Sequence, residues 1–156
     1  MDSDDIRPLV AADAGELLTL QRAAYATEAQ LYRDAFLPAL TQTLDEVRQE
    51  LQSAQALGLR RGQRLIGAVR TKTVGDEIEI GRLTVAPDLQ GQGIGTRLLL
   101  AAEQLAPQAR SAVLFTGHLS TANLRLYERH GYRETHRQPL KPGVELVYLR
   151  KEISGP

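Results

Sequence analysis

The spacing of apolar residues divides the chain into a helical first third and a strand-rich remainder. Ile6 to Val10 reads as a short first strand. Asp13, followed three residues later by Glu16, forms a capping box that opens a helix through about Ala26, with Leu17, Leu20 and Ala24 among its apolar positions. A second box, Thr43-Leu44-Asp45-Glu46, starts a helix in which Leu44, Val47, Leu51 and Ala54 recur at helical spacing, giving one buried stripe. Gly58 is placed to end it. Between the two helices, Tyr25 to Leu40 mixes polar and aromatic residues around Tyr32, Phe36 and Pro38, as a broken helix or a covering loop would.

The rhythm then changes to that of strands. Ala56 to Arg61 and Arg64 to Val74 flank Gly62-Gln63, a hairpin signal, and Gly75-Asp76 marks the next turn. Glu77 to Val85 alternates with period two, so Ile78 and Ile80 face away from Glu77 and Glu79, and Pro87 stops the strand. After a glycine-rich turn, Thr96 to Ala106 is helical, with Pro107 beyond its end. Ser111 to Thr116 is another strand, Ser120 or Thr121 caps a short helix through His130, and Gly131 stands as its C-terminal glycine. Tyr132 to Arg137 and Val144 to Lys151 close the chain as strands. The order β-α-α-β-β-β-α-β-α-β-β predicts one α/β (α+β) domain over residues 1–156, a mixed sheet of about seven strands with helices on both faces.

Composition narrows the chemistry. With 42% apolar and 24% charged residues, disorder and simple fibrous repeats do not fit. The absence of cysteine excludes a disulfide framework, a thiol nucleophile and a thiolate metal site, and three scattered histidines argue against an all-nitrogen zinc site, so no metal is expected. Nineteen basic and nineteen acidic residues cancel, removing the electrostatic reason to expect nucleic acid or an anionic membrane as partner. The charge is unevenly placed: residues 1–58 hold ten acids and four bases, residues 59–156 nine acids and fifteen bases. An anionic ligand therefore favours the second part. No apolar run is long enough to span a bilayer, and the acidic start Met1-Asp2-Ser3-Asp4-Asp5 is unlike a signal peptide, which predicts a cytoplasmic protein.

The glycine turn carries the strongest chemical signal. Gln90-Gly91-Gln92-Gly93-Ile94-Gly95-Thr96 lies between a strand and an apolar helix, so its N–H groups converge where the helix collects partial positive charge, a site suited to phosphate. Glycines at 91, 93 and 95 allow positive φ and close backbone approach. A Walker loop is excluded because no lysine occurs between residues 73 and 140, and a dinucleotide fingerprint would need glycine or alanine where Thr96 stands.

Leu83-Thr84-Val85-Ala86-Pro87-Asp88 followed by Gln90-Gly91-Gln92-Gly93-Ile94-Gly95 resembles motif A of the GCN5-related N-acetyltransferases, Q/R-x-x-G-x-G/A. Ser120 to Tyr132 resembles the same family's motif B helix and following strand, in matching order and separation. The resemblance covers residues 60–150 and reaches the first 58 only through topology. It implies a centrally splayed sheet whose cleft binds acetyl-coenzyme A. The backbones of Leu83 and Val85, with Thr84 between them, would then meet the pantetheine arm. The amides of Gln90, Gly91, Gln92, Gly93, Ile94, Gly95 and Thr96, with the Thr96 hydroxyl, would hold the pyrophosphate, and Arg97 would add charge. A backbone N–H near Val85 would meet the developing oxyanion.

Asn123 and Tyr127, four residues apart, share one helix face in any fold. The resemblance implies that Asn123 bonds the cofactor and that Tyr127 is the general acid for the departing thiolate. A phenol of pKa ~10 keeps its proton at neutral pH and can serve a thiol of pKa ~8.5. An alkylammonium of pKa ~10.4 must also lose a proton. By resemblance Glu79 occupies the place of the base, with Glu77 one pleat earlier as the alternative. His118 and His130 are assigned no chemistry.

Acceptor specificity is implied to come from Tyr25 to Leu44 and from Gln138 to Gly143. Tyr25, Glu28, Tyr32, Arg33, Asp34 and Phe36 are pocket candidates, and Glu28 or Asp34 would suit a cationic amine. The function this implies is acetyl-coenzyme A-dependent N-acetyl transfer to a small-molecule or peptide amine, directly, since no cysteine can carry the acyl group. A non-catalytic acyl-coenzyme A sensor and a transferase of another acyl group stay open as alternatives, as does a homodimer through the last strands.

Overall fold

The computed structural model describes residues 4–153, so Met1, Asp2 and Ser3 of the acidic start lie outside the described residues. The elements are β1 (Asp4–Pro8), α1 (Ala14–Tyr32), α2 (Pro38–Thr41), α3 (Leu44–Ser53), β2 (Gln55–Arg61), β3 (Arg64–Val74), β4 (Glu77–Val85), α4 (Ile94–Glu103), β5 (Ser111–Gly117), α5 (Thr121–Arg129), β6 (Arg133–Lys141) and β7 (Val144–Glu152). The strands form one sheet in the order β1-β2-β3-β4-β5-β7-β6. All neighbours are antiparallel except β4 and β5. Gly67 on β3 faces Leu98 and Ile94 of α4, whereas Arg70, an odd number of residues further on, faces Gln21 of α1, so helices cover both sides of the sheet. This double cover explains why Leu65 to Thr71 are all buried.

The parallel pair positions the site. β4 and β5 are in register only from Glu77, Ile78 and Glu79 to Ser111, Ala112 and Val113, after which they part. A bulge accompanies the separation: from Ala68 to Arg70 on β3 the partner residues on β4 run from Thr84 to Gly81, and Arg82 inside the bulge has φ 49°. Above the bulge Ala86 N–H donates to the Ile66 carbonyl at 2.9 Å. Ladder alternation therefore turns Thr84 toward β3 and leaves the backbone groups of Val85 facing the gap.

Several expectations need correction. The Asp13–Glu16 capping box does not form. Asp13 accepts from Val10 N–H (2.8 Å) beneath a 3-10 turn, while both carboxylates are drawn to Arg60 and Glu16 also accepts from Leu65 N–H. α1 continues six residues past Ala26, because nothing in Thr27 to Tyr32 breaks it, and ends at left-handed Arg33. The Thr43–Glu46 box does form, at 3.2 and 2.9 Å. Leu44, expected in the buried stripe, is 40% exposed. Gly58 does not end α3. It lies inside β2, where a Cβ would come within 2.6 Å of Leu9 Cδ2 and 2.8 Å of Leu65 Cδ1. β1 starts and ends two residues earlier than expected, and α4 begins inside the glycine turn, at Ile94.

Candidate functional site

Where β4 and β5 part, a groove of about 240 Å³ runs beside the start of α4. Gly93 is its N-cap, in the left-handed region at φ 80°, and offers no side-chain acceptor, so the first N–H groups of α4 point outward without a helical partner. Gly91 shares the same φ. Gly95 does not, and its role is space: a Cβ there would meet Leu126 at 3.4 Å and Val85 at 3.8 Å, narrowing the groove between β4 and α5.

Of the residues singled out for a phosphate-bearing ligand, Leu83, Thr84, Val85, Gln90, Gly91, Gly93, Ile94, Gly95, Thr96 and Asn123 line this groove. The Thr84 hydroxyl turns away to the Ala68 carbonyl at 3.3 Å and its backbone groups face β3, so Thr84 borders the groove without offering it a hydrogen bond. The Thr96 hydroxyl lies 3.3 Å from His130 Nε2. Gln92 and Arg97 do not line the groove: Gln92 accepts from Arg61, and Arg97 is ion-paired with Asp4 at 2.8 Å. The cation that does line it is Arg129, at the end of α5, which sequence reasoning missed.

A second cavity of about 410 Å³ adjoins the groove, and Tyr25, Glu28, Leu83 and Asn123 border both. Tyr127 lines this second cavity. Its ring packs edge-on against Tyr132 at 5.9 Å between centroids. Burial pushes the Tyr127 phenol well above the usual tyrosine range, and the nearby Tyr25 and Glu28 push the same way, so it is protonated throughout the neutral range. Asn123 donates to Thr116 Oγ1 at 3.3 Å.

Glu28 is held by a relay between α1 and the start of α5. Ser120, at the N-cap of α5, makes no cap bond; its Oγ donates to Glu28 Oε2 at 2.6 Å and lies 2.8 Å from the Tyr32 hydroxyl. That hydroxyl also accepts from Leu119 N–H at 3.0 Å. The bare Cα of Gly117 makes this possible, because a Cβ there would stand 2.0 Å from the Tyr32 oxygen.

The structure does not bring Glu79 to this point. It is exposed on β4 and borders neither cavity, since it precedes the place where the strands part. Glu77 is bound to Arg150 and Ser111. Among the acceptor candidates Tyr25, Glu28 and Tyr32 line the second cavity, whereas Arg33, Asp34 and Phe36 do not. Asp34 is ion-paired with Lys141, and Phe36 is 80% exposed. Of Gln138 to Gly143, expected as a loop, Gln138 to Lys141 continue β6, and from them Leu140 contributes to the wall. Sequence reasoning missed Arg82, Phe115 and Leu146, which line the cavity because the bulge and the strand separation open it there. His118 accepts from Glu145 N–H at 3.0 Å, a structural contact. Among the described residues no helix is long and apolar enough to cross a membrane, and no cluster of side chains could hold a metal ion.

Residues 21–153 match the family described as Acetyltransferase (GNAT) domain. No curated protein matches the chain. Several solved structures do. The PaiA N-acetyltransferase of Thermoplasma acidophilum, crystallised with coenzyme A, is 21% identical with a TM-score of 0.85 over 97% of this chain and 99% of that one. YncA of Salmonella typhimurium, a putative acetyltransferase crystallised with acetyl-CoA, is 17% identical with a TM-score of 0.78 over 99% and 96%. The ribosomal-protein-S18-alanine N-acetyltransferase of Escherichia coli is 20% identical with a TM-score of 0.75 over 99% and 96%. At these identities the likeness is one of fold.

Proposed function

Because the chain belongs to the GNAT acetyltransferase family, we propose that it carries an acetyl group from acetyl-coenzyme A directly to a primary amine. The observation that carries this reading is the junction of the two cavities at Leu83 and Asn123, with Tyr127 and Glu28 beside it. The groove fits the donor. It offers free N–H groups and a helix N-terminus for a pyrophosphate, Arg129 for a further negative charge, and the unpaired backbone of β4 for an extended amide-bearing arm. The donor supplies an activated acyl carbon on a thiolate leaving group; the chain supplies position and protons.

In this reading Glu28 takes the place that the resemblance gave to Glu79. Its carboxylate, fixed by Ser120, receives the ammonium and accepts its proton, so that the nitrogen's electron pair can form the new C–N bond. Tyr127 gives its proton to the sulfur as the C–S bond breaks. A backbone N–H of β4 at Val85 faces the gap and serves the carbonyl oxygen as negative charge gathers there.

This assignment is tested by two variants. Glu28→Gln is expected to lower kcat/KM for the amine by about 10²-fold, with acetyl-coenzyme A affinity kept. Glu79→Gln should stay within a factor of about two of the parent. The reverse pattern in steady-state kinetics would return the base to β4.

A further inference from the structure

The cavity beside Tyr127 holds one cation and one anion that do not meet. Arg82 and Glu28 are the two charged residues on its wall, yet no ion pair joins them, and Arg82 has no carboxylate partner among the described residues. Tyr25 lines the same cavity, near both charges. Burial raises its phenol pKa, the positive charge of the nearby Arg82 guanidinium pulls the value back, and the Glu28 carboxylate pushes it up again.

Nothing behind Arg82 neutralises it either. The neighbouring guanidinium is Arg70, 8% exposed, whose Nε lies 2.9 Å from Glu50 Oε2 and whose Nη1 donates to Gln21 at 2.8 Å. Glu50 also accepts from Gln42 at 2.7 Å, so its charge is already taken. Burial lowers the Arg70 pKa, and the like charge of Arg82 lowers it further, a repulsion that an anion at Arg82 would relieve. Arg82 is moreover held at φ 49° inside the β4 bulge, a conformation that a side chain with a Cβ adopts only at a cost. The rest of the wall is largely apolar, from Leu37, Ile80, Phe115 and Leu146.

A ligand matching this wall has an ammonium for Glu28, an anion for the guanidinium fork of Arg82 and an apolar side chain to lie against Leu37, Ile80, Phe115 and Leu146. We infer that the acceptor is an amino-acid-like zwitterion, an apolar primary amine bearing a carboxylate close to the nitrogen. The inference rests on the transferase reading. A polyamine would set a second cation against Arg82, and a neutral amine would leave the guanidinium without a counterion in a cavity that it has to desolvate.

The test compares L-leucine, L-leucinamide and 3-methylbutylamine as acceptors in a coenzyme A thiol-release assay, with rates referred to the concentration of the ammonium form that Glu28 receives. Leucine is expected to exceed both by about tenfold or more in kcat/KM. Arg82→Gln should bring that ratio close to one, and Arg82→Lys should restore part of it, with acetyl-coenzyme A affinity and the unfolding temperature measured on both variants to establish that they fold. If 3-methylbutylamine matches leucine, or if Arg82→Gln slows all three acceptors equally, the zwitterion inference is overturned and acetyl transfer stands. Thiol release from none of a wider set of amines, with acetyl-coenzyme A still bound, overturns both.

Discussion

Tyr127→Phe is expected to lower kcat by roughly 10²- to 10³-fold and to leave acetyl-coenzyme A affinity within about twofold, the loss typical of a positioned general acid. The variant deletes one oxygen. The ring keeps its edge-on contact with Tyr132, and the hydroxyl makes no hydrogen bond among the described residues, so folding should lose little. The catalytic cost comes from solvation. In the cavity a departing thiolate has few donors to stabilise it, and the same burial that raises the phenol pKa raises that of the thiol formed beside it. Proton transfer between them therefore stays balanced where either group alone would be stranded. The pH profile supplies a second readout. With its pKa displaced upward, Tyr127 stays in the acid form needed for catalysis to pH values above ~10, so kcat should show no falling limb from it at neutral or mildly alkaline pH. Steady-state kinetics with a calorimetric titration of the donor separate the two constants. An unchanged kcat would mean that the thiolate leaves without this proton.

Gly95→Val should weaken acetyl-coenzyme A binding by about 10²-fold or more, which corresponds to ~2.7 kcal/mol. Gly95 has an ordinary helical φ, so valine meets no left-handed strain there, and its helix propensity is no lower than that of glycine, so the helix itself loses little. Its branched side chain would instead occupy the space between Leu126 and Val85, closing the groove at the point where β4 and α5 face each other across it. Gly93→Val differs in kind. Nothing lies within 4 Å of its Cβ, but φ 80° penalises a branched residue, so this variant should lose stability as well as affinity. Titration calorimetry paired with thermal unfolding distinguishes the two. A Gly95→Val protein that binds the donor normally would show that the groove is not its site.

Comparison of individual elements shows why part of this site is legible in the sequence and part is not. The glycine turn and the Asn123–Tyr127 pair are local patterns, fixed by spacing along one helix start and one helix face, and both line the cavities. The two capping boxes have the same spacing, yet only Thr43–Glu46 forms. Asp13 and Glu16 are diverted by Arg60, forty-four residues or more away in the chain, and no local rule sees that partner. Glu79 misleads for a related reason. Its place in the strand is read correctly from period-two alternation, but whether a β4 side chain reaches the site depends on where β4 leaves β5, and that occurs beyond residue 79. Arg82 is missed although the run carries a trace of the bulge: apolar Ile78 and Ile80 stand before Gly81 and apolar Leu83 and Val85 after it, a change of phase that a single period-two reading passes over. Arg97 and Gln92 belong to the motif stretch, but Asp4 and Arg61 hold them away from the groove.

The most direct test of acetyl transfer is release of coenzyme A thiol from acetyl-coenzyme A by the purified protein, across a panel of primary amines with an amine-free control. Release that depends on the amine and yields the N-acetylated amine by mass spectrometry is the predicted result. Binding of acetyl-coenzyme A without amine-dependent release from any member of the panel would contradict it and leave a protein that binds the thioester without consuming it.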